Sequence, residues 1–258
     1  MRHGMAAALA LGALAVLTAA PAVACGGGAD RTTSGGGFFR QYEYEEEVYL
    51  SLDGTATVYV NASLASLNVL RGTSFATAPN APLDRDQVRA FFSTPVTRVS
   101  GQISASRRSN RRFIHVKIDV DDIRRLGEAA PFAWSSYEFK RDGDLYIYRQ
   151  RIGAAAARDA GGVGFTGREI VAFRLHLPSK IRYHNSTREI RGNILDWEQP
   201  LADRVRGTPL LLDARMDPQS ILYRTLWLFG WTFVAVAISF VVVVWWVRRQ
   251  APAEKRAA

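Results

Sequence analysis

No Asp, Glu, Lys or Arg occurs between Thr225 and Val247. A helix of those 23 residues would be about 34 Å long, enough to cross the ~30 Å hydrocarbon core of a bilayer. Trp227 and Trp231 stand near one end of the run and Trp245 and Trp246 near the other, as in interfacial aromatic belts. A buried core helix seldom needs such a length without charge and with tryptophans at both ends. The reading is one transmembrane helix at residues 225–247.

The N-terminus has a different apolar stretch. Arg2 and His3 precede Met5–Ala20, which is interrupted only by Gly12 and Thr18, and Ala22-Val23-Ala24 fits a signal-peptidase site. As a helix the stretch is about 24 Å long, short of a bilayer, so a cleaved signal peptide at residues 1–24 is expected. Cys25 follows directly and is the sole cysteine, which excludes an intramolecular disulfide. Its position resembles a bacterial lipobox, in which the thiol takes a diacylglyceryl group, although Ala22 stands where Leu is usual. Lipidation of Cys25 is expected; the alternative is cleavage after Ala24 with an incidental free thiol.

A basic tail, residues 248–258, follows the span, with Arg248, Arg249, Lys255 and Arg256 opposed by Glu254 alone. Before the span, Arg206, Arg215 and Arg224 are mixed with Asp213 and Asp217. The asymmetry agrees with the export signal. Together they predict a single-pass protein of the cytoplasmic (inner) membrane with its domain outside the cytoplasm and its tail inside.

Residues 25–38 read as a Gly-rich tether, with glycines at 26–28 and 35–37. Such a coil reaches about 20 Å root-mean-square, so two anchors in one membrane would hold the domain near the bilayer. From Cys25 to Arg224 there are 28 Lys and Arg against 23 Asp and Glu. An exported basic domain has no access to nucleic acid. Membrane lipids or acidic envelope polymers are the natural partners, with an envelope protein as a further possibility.

Residues 39–218 form the expected extracytoplasmic domain. Tyr42, Tyr44, Val48, Leu50 and Leu52 share one face of a strand, with Glu46 as the exception, and Asp53-Gly54 supplies a hairpin turn. Thr55–Asn61 returns. Ser63–Leu70 reads as a short helix stopped by Gly72, and Asp84–Phe92 as a second, capped by Asp84. A hairpin from Thr97 reaches Val120, Asp121 caps a short helix ending near Gly127, and a third hairpin turns at Asp142-Gly143. Strand-like segments follow at Ile170–Leu177, around Trp197, and at Leu210–Met216. Strands dominate without a βαβ period, so the expected class is α+β, a mostly antiparallel sheet of hairpins with short helices.

Catalytic and cofactor motifs are weak. Gly162-Val163-Gly164-Phe165-Thr166-Gly167 matches G-x-G-x-x-G, but a strand follows it where the dinucleotide fingerprint needs a helix, so it reads as a connection. His115, His176 and His184 lack metal-ligand spacing, and Asp119, Asp121 and Asp122 read as a strand end and cap. No cofactor, metal or catalytic residue is expected. Two features stand out. Arg107, Arg108, Arg111 and Arg112 crowd a hairpin tip, and arginine suits lipid phosphate bidentately, though a solvated turn is the plainer reading in a chain with 29 Arg and 4 Lys. Phe91, Phe92, Trp134 and Tyr137 could line an acyl-chain pocket, though such aromatics are more often core.

The order of elements resembles the LppM family of bacterial membrane-anchored lipoproteins. The resemblance rests on the lipobox-like cysteine, the Asp53-Gly54-Thr55 hairpin, and the helix ending at Gly72. It continues in Phe173-Arg174-Leu175-His176-Leu177-Pro178 and Gly192-Asn193-Ile194-Leu195-Asp196-Trp197, followed by a strand, a span and a basic tail. It covers most of residues 42–249; Ala22 and the long loops at 73–83 and 153–165 depart from it. It implies an extracytoplasmic α/β domain with a proposed role in binding envelope lipids and no established enzymatic activity. The expected function is a non-enzymatic domain binding lipid or an acidic envelope component, with a scaffold or assembly factor as the alternative.

Overall fold

Gln41–Leu50 forms strand β1, with Tyr44, Val48 and Leu50 turned inward as the alternation requires, and Glu46 buried beside them. The computed structural model describes residues 40–78, 80–157, 164–190 and 192–250. The signal peptide, the tether with Cys25, and the tail beyond residue 250 lie outside the described residues. β2 (Ala56–Ser63) returns beside β1 through a loop in which Asp53 Oδ1 accepts the Thr55 N–H at 2.9 Å and Gly54 takes φ 92°.

Helix α1 (Leu64–Arg71) starts where Ser63 Oγ accepts the Ser66 N–H at 3.0 Å. It stops at Gly72, whose φ of 68° suits glycine and whose N–H donates to the Asn68 carbonyl. Asp84 caps α2 (Arg85–Phe92) through the Gln87 N–H. The hairpin of β3 (Thr97–Arg108) and β4 (Arg111–Val120) follows. β3 is an edge strand, and α2 covers it. Arg85 Nε donates to the Ile103 carbonyl, and Arg89 to the carbonyls of Val99 and Gly101. Three outward acceptors that could template another strand are thereby occupied.

Two short 3-10 helices, Ile123–Glu128 and Ala130–Phe132, lead to β5 (Ser135–Asp142) and β6 (Leu145–Ile152). The chain continues through β7 (Glu169–His176), β8 (Ser179–His184), β9 (Arg188–Ile190), β10 (Ile194–Pro200), α3 (Leu201–Val205) and β11 (Leu210–Ser220). Seven strands form one sheet in the order β3-β4-β2-β1-β7-β10-β9, and four form a second in the order β5-β6-β11-β8. The class is α+β, as expected. The core joins Val58, Val60, Ile114, Ile118 and Phe173 of the larger sheet to Tyr148, Leu212 and Met216 of the smaller, with Leu67, Phe92 and Phe132 from the helices.

Several details depart from the sequence reading. β1 and β7 pair in parallel, which a hairpin pattern does not announce. The cap of the first 3-10 helix is Asp122, not Asp121, because Asp122 Oδ1 accepts the Arg124 N–H. The β5–β6 turn is Gly143-Asp144, one residue later than Asp142-Gly143, because Asp142 still pairs with Leu145.

α4 (Ile221–Gln250) begins directly after β11 and contains the uncharged run. It has a stretch long and apolar enough to cross a membrane, none of it buried against the domain. The Ile221 N–H donates to the carbonyl of Pro178, just past the C-terminal end of β7. β1 starts at the other end of that strand, where Gln41 pairs with Glu169. The two ends of the described domain therefore leave opposite ends of the larger sheet.

Candidate functional site

The β3–β4 hairpin turns on Ser109 and Asn110, both left-handed (φ 49° and 58°). Asn tolerates this conformation better than most residues. The register sets Arg107 opposite Arg112 and Arg108 opposite Arg111. Like charges directly opposite repel, so each pair needs its own surroundings.

Those surroundings differ. Arg111 turns inward, its side chain 12 % exposed, and donates to Glu43 Oε1 at 2.6 Å. It also lies 3.4 Å from Glu169 Oε1 and packs over the Phe165 ring. Burial alone would raise the Glu169 carboxyl, but the Thr166 N–H and hydroxyl, with Arg111, hold it below the usual carboxylate range. Arg108 donates to the Tyr42 carbonyl and covers Phe113. These two arginines fasten the tip to β1 and to residues 164–169. Gly164 and Gly167, both at positive φ, shape that connection, and it leads into a strand rather than a phosphate-binding helix. Gly162 and Val163 of the motif lie outside the described residues.

Arg107 and Arg112 line an open groove of about 380 Å³ together with Arg85 and residues Asn80–Leu83. Three arginines around one concavity can bind an oxyanion through charge and planar donors. The groove lies at the end of the larger sheet where β7 begins, since Arg111 beside it reaches Glu169, the first residue of β7. From Glu169 to Pro178, beside the start of α4, the chain advances nine residues, about 30 Å as strand.

The four aromatics proposed for an acyl pocket do not come together. Phe92 packs on Phe91 and Phe132, and Phe91 on Phe75. Trp134 instead meets Tyr44 and Phe173, and Tyr137 is buried at Glu46. A second open groove runs along α4 between Tyr223 and Val234, and neither groove includes any of the four.

The interior has a polar cluster that the alternation flagged only as a misplaced glutamate. Glu46 Oε2 accepts the Tyr44 hydroxyl at 2.7 Å, and Glu46 Oε1 accepts Gln150 Nε2 at 2.9 Å and the Tyr137 hydroxyl at 3.1 Å. The Tyr148 hydroxyl donates to Gln150 Oε1 at 2.8 Å. Arg71, 3 % exposed, supplies the countercharge to Glu46 at 3.5 Å and lies over the Trp134 ring. Burial pushes the Tyr44, Tyr137 and Tyr148 hydroxyls well above their ordinary pKa, so they remain donors at neutral pH. Both Glu46 oxygens are engaged, and the cluster links the two sheets.

The histidines are separate. His115 bonds Asn61 and Ser106, His176 bonds Glu47, and His184 bonds Ser186. Among the described residues no three His, Cys, Asp or Glu side chains are grouped to hold a metal.

No protein-family model and no curated protein matches the chain. A solved structure is similar in part. It is the folded domain of Mycobacterium tuberculosis LppM, determined by NMR, with a TM-score of 0.40 and 11% identity. The match covers 72% of this chain and 95% of the LppM domain. The likeness to LppM is one of broad outline, and the chemistry of the groove and of the interior rests on this chain's own residues.

Proposed function

We propose that this chain is a single-pass, membrane-anchored, non-enzymatic domain outside the cytoplasm, and that its Arg85–Arg107–Arg112 groove binds the phosphate or carboxylate groups of an acidic envelope component. The carrying observation is the convergence of three arginines on one groove at the end of the sheet remote from α4. α4 anchors the chain, and a lipidated Cys25 would add a second anchor, its tether long enough at full stretch, about 50 Å, to leave the sheet upright.

The separation favours one ligand over another. A groove about 30 Å from the start of α4 lies several Debye lengths, each about 8 Å, beyond the head groups around that helix. With the sheet upright, those head groups contribute little to it. An acidic polymer that comes to the groove meets no such limit.

The test uses the full chain in nanodiscs of neutral lipid, titrated with fluorescent polyphosphate. Arg107→Ser with Arg112→Ser should weaken binding by about 2 kcal/mol, roughly thirtyfold, and reduce its salt dependence. Equal binding by variant and parent would remove the groove from the function. Binding only when the nanodisc itself is anionic would favour a sheet lying flat on its own membrane.

A further inference from the structure

Arg204, on α3, is fully buried and has no carboxylate within ion-pairing distance among the described residues. Its Nη1 donates to the carbonyls of Ile152 at 3.1 Å and Gly153 at 2.9 Å. Its Nε and Nη2 have no protein partner. Those two atoms form the edge of a guanidinium that grips both oxygens of a carboxylate or phosphate.

Two more buried donors belong to the same contact run. The Gly153 N–H donates to the Trp134 carbonyl at 2.6 Å, and the Trp134 indole Nε1 has no partner. The Arg71 guanidinium lies 3.2 Å from the centre of the Trp134 ring, and its Nη1 has no partner either. Arg71, Trp134, Gly153 and Arg204 thus form one series of direct contacts carrying two permanent positive charges; Glu46 pairs with Arg71, and Arg204 has only the field of Asp203 from beyond ion-pairing distance. Water can satisfy a donor, but it cannot neutralise a buried charge.

The cover over this region is thin. Gly153–Ala157 crosses it with no side chain larger than methyl. It is pinned by the N–H groups of Ala155, Ala156 and Ala157 to the carbonyls of Arg204, Leu70 and Val69 at 3.4, 3.1 and 3.0 Å. Lifting such a segment exposes little apolar area.

We propose that the Nε–Nη2 edge of Arg204 is an internal oxyanion site for the phosphate or carboxylate group of a small ligand, reached by displacement of the neighbouring segment Gly153–Ala157. The site shares no residue with the Arg85–Arg107–Arg112 groove and does not depend on it.

Thermal unfolding of the full chain in neutral nanodiscs tests this, with inorganic phosphate replacing chloride at constant ionic strength. The midpoint should rise by about 3–6 °C once phosphate reaches about ten times its dissociation constant. Arg204→Lys keeps the charge and a donor for the two carbonyls but loses the forked edge, and should abolish the rise. The Arg107→Ser, Arg112→Ser double variant should keep it. Phosphatidylglycerol nanodiscs without phosphate separate the sources: stabilisation there that Arg204→Lys removes assigns a lipid headgroup, and stabilisation by phosphate alone assigns a free oxyanion. Should Arg204→Lys fail to fold, hydrogen exchange of the Ala155–Ala157 amides in the parent decides, and ligand should slow it at least tenfold. No slowing, no shift, or a shift that survives Arg204→Lys would leave those donors to water and overturn the site.

Discussion

The Glu46 carboxylate on β1 accepts the Gln150 amide on β6 at 2.9 Å, joining the two sheets through the only strongly polar residue on the inward face of β1 between Tyr44 and Leu50. Glu46→Ala should cost about 3–5 kcal/mol, because it leaves Arg71 buried without its countercharge. Glu46→Gln, which keeps an acceptor, should cost less. Denaturant titration of both variants measures the difference.

Arg111 and the Arg107–Arg112 pair should respond oppositely to replacement. Arg111→Ala strands Glu43, whose side chain is fully buried, and should destabilise the domain by about 3 kcal/mol. Replacing Arg107 and Arg112 by Ser should cost less, about 1 kcal/mol, because interactions at the solvent-facing tip are screened by water. Urea midpoints compared with polyanion binding would separate the structural arginine from the groove.

Acid should weaken the domain through two carboxylates. The hydrogen bond from His176 depresses Glu47, and the Thr166 contacts with Arg111 depress Glu169 against the opposing effect of burial. A depressed carboxyl stabilises the fold above its unfolded pKa, near 4.3, and the stabilisation is lost as pH falls through the folded value. Stability measured from pH 6 to 3 should therefore drop, and Glu47→Gln or Glu169→Gln should each flatten the curve.

At high pH the same corner of the sheet gives a spectroscopic signature. Burial, then the charge of Glu47, pushes Tyr49 up to about 12. Its absorbance change, isolated by subtracting the Tyr49→Phe titration, should have its midpoint there. In Glu47→Gln the midpoint should move toward the ordinary value near 10.

Gly153 admits no side chain. A Cβ there would lie 2.5 Å from the Trp134 carbonyl oxygen, a backbone atom that cannot swing aside. Gly153→Ala should cost about 1–3 kcal/mol in thermal or denaturant unfolding.

What the sequence disclosed was local. Ser63, Gly72 and Asp84 act within three or four residues of themselves, and each cap or stop forms where its residue type predicts. The alternation in β1 even marked Glu46 as an anomaly, the one advance sign of the interior cluster. Apart from Tyr44 on the same strand, its partners come from residues 71, 137 and 150, on three other elements, and no spacing rule links them. The parallel pairing of β1 with β7 spans more than a hundred residues and was equally hidden. The arginine tip was visible as composition. Its division into two residues that fasten the tip and two that line the groove depends on Glu43, Tyr42 and Arg85, which only the folded register brings near.

The departure of the chain from opposite ends of the larger sheet has a mechanical consequence. Hydrogen bonds in a strand ladder lie across the strands. If the segment before β1 is held on one side and α4 on the other, tension enters along β1 at one end and along β11, which runs directly into α4, at the other. It then loads the ladders of β1 with β2 and β7, and of β11 with β6 and β8, many bonds at once, instead of unzipping them singly. Such a domain would behave as a tension-bearing link between its two attachments, resisting extension until one of those ladders yields as a unit.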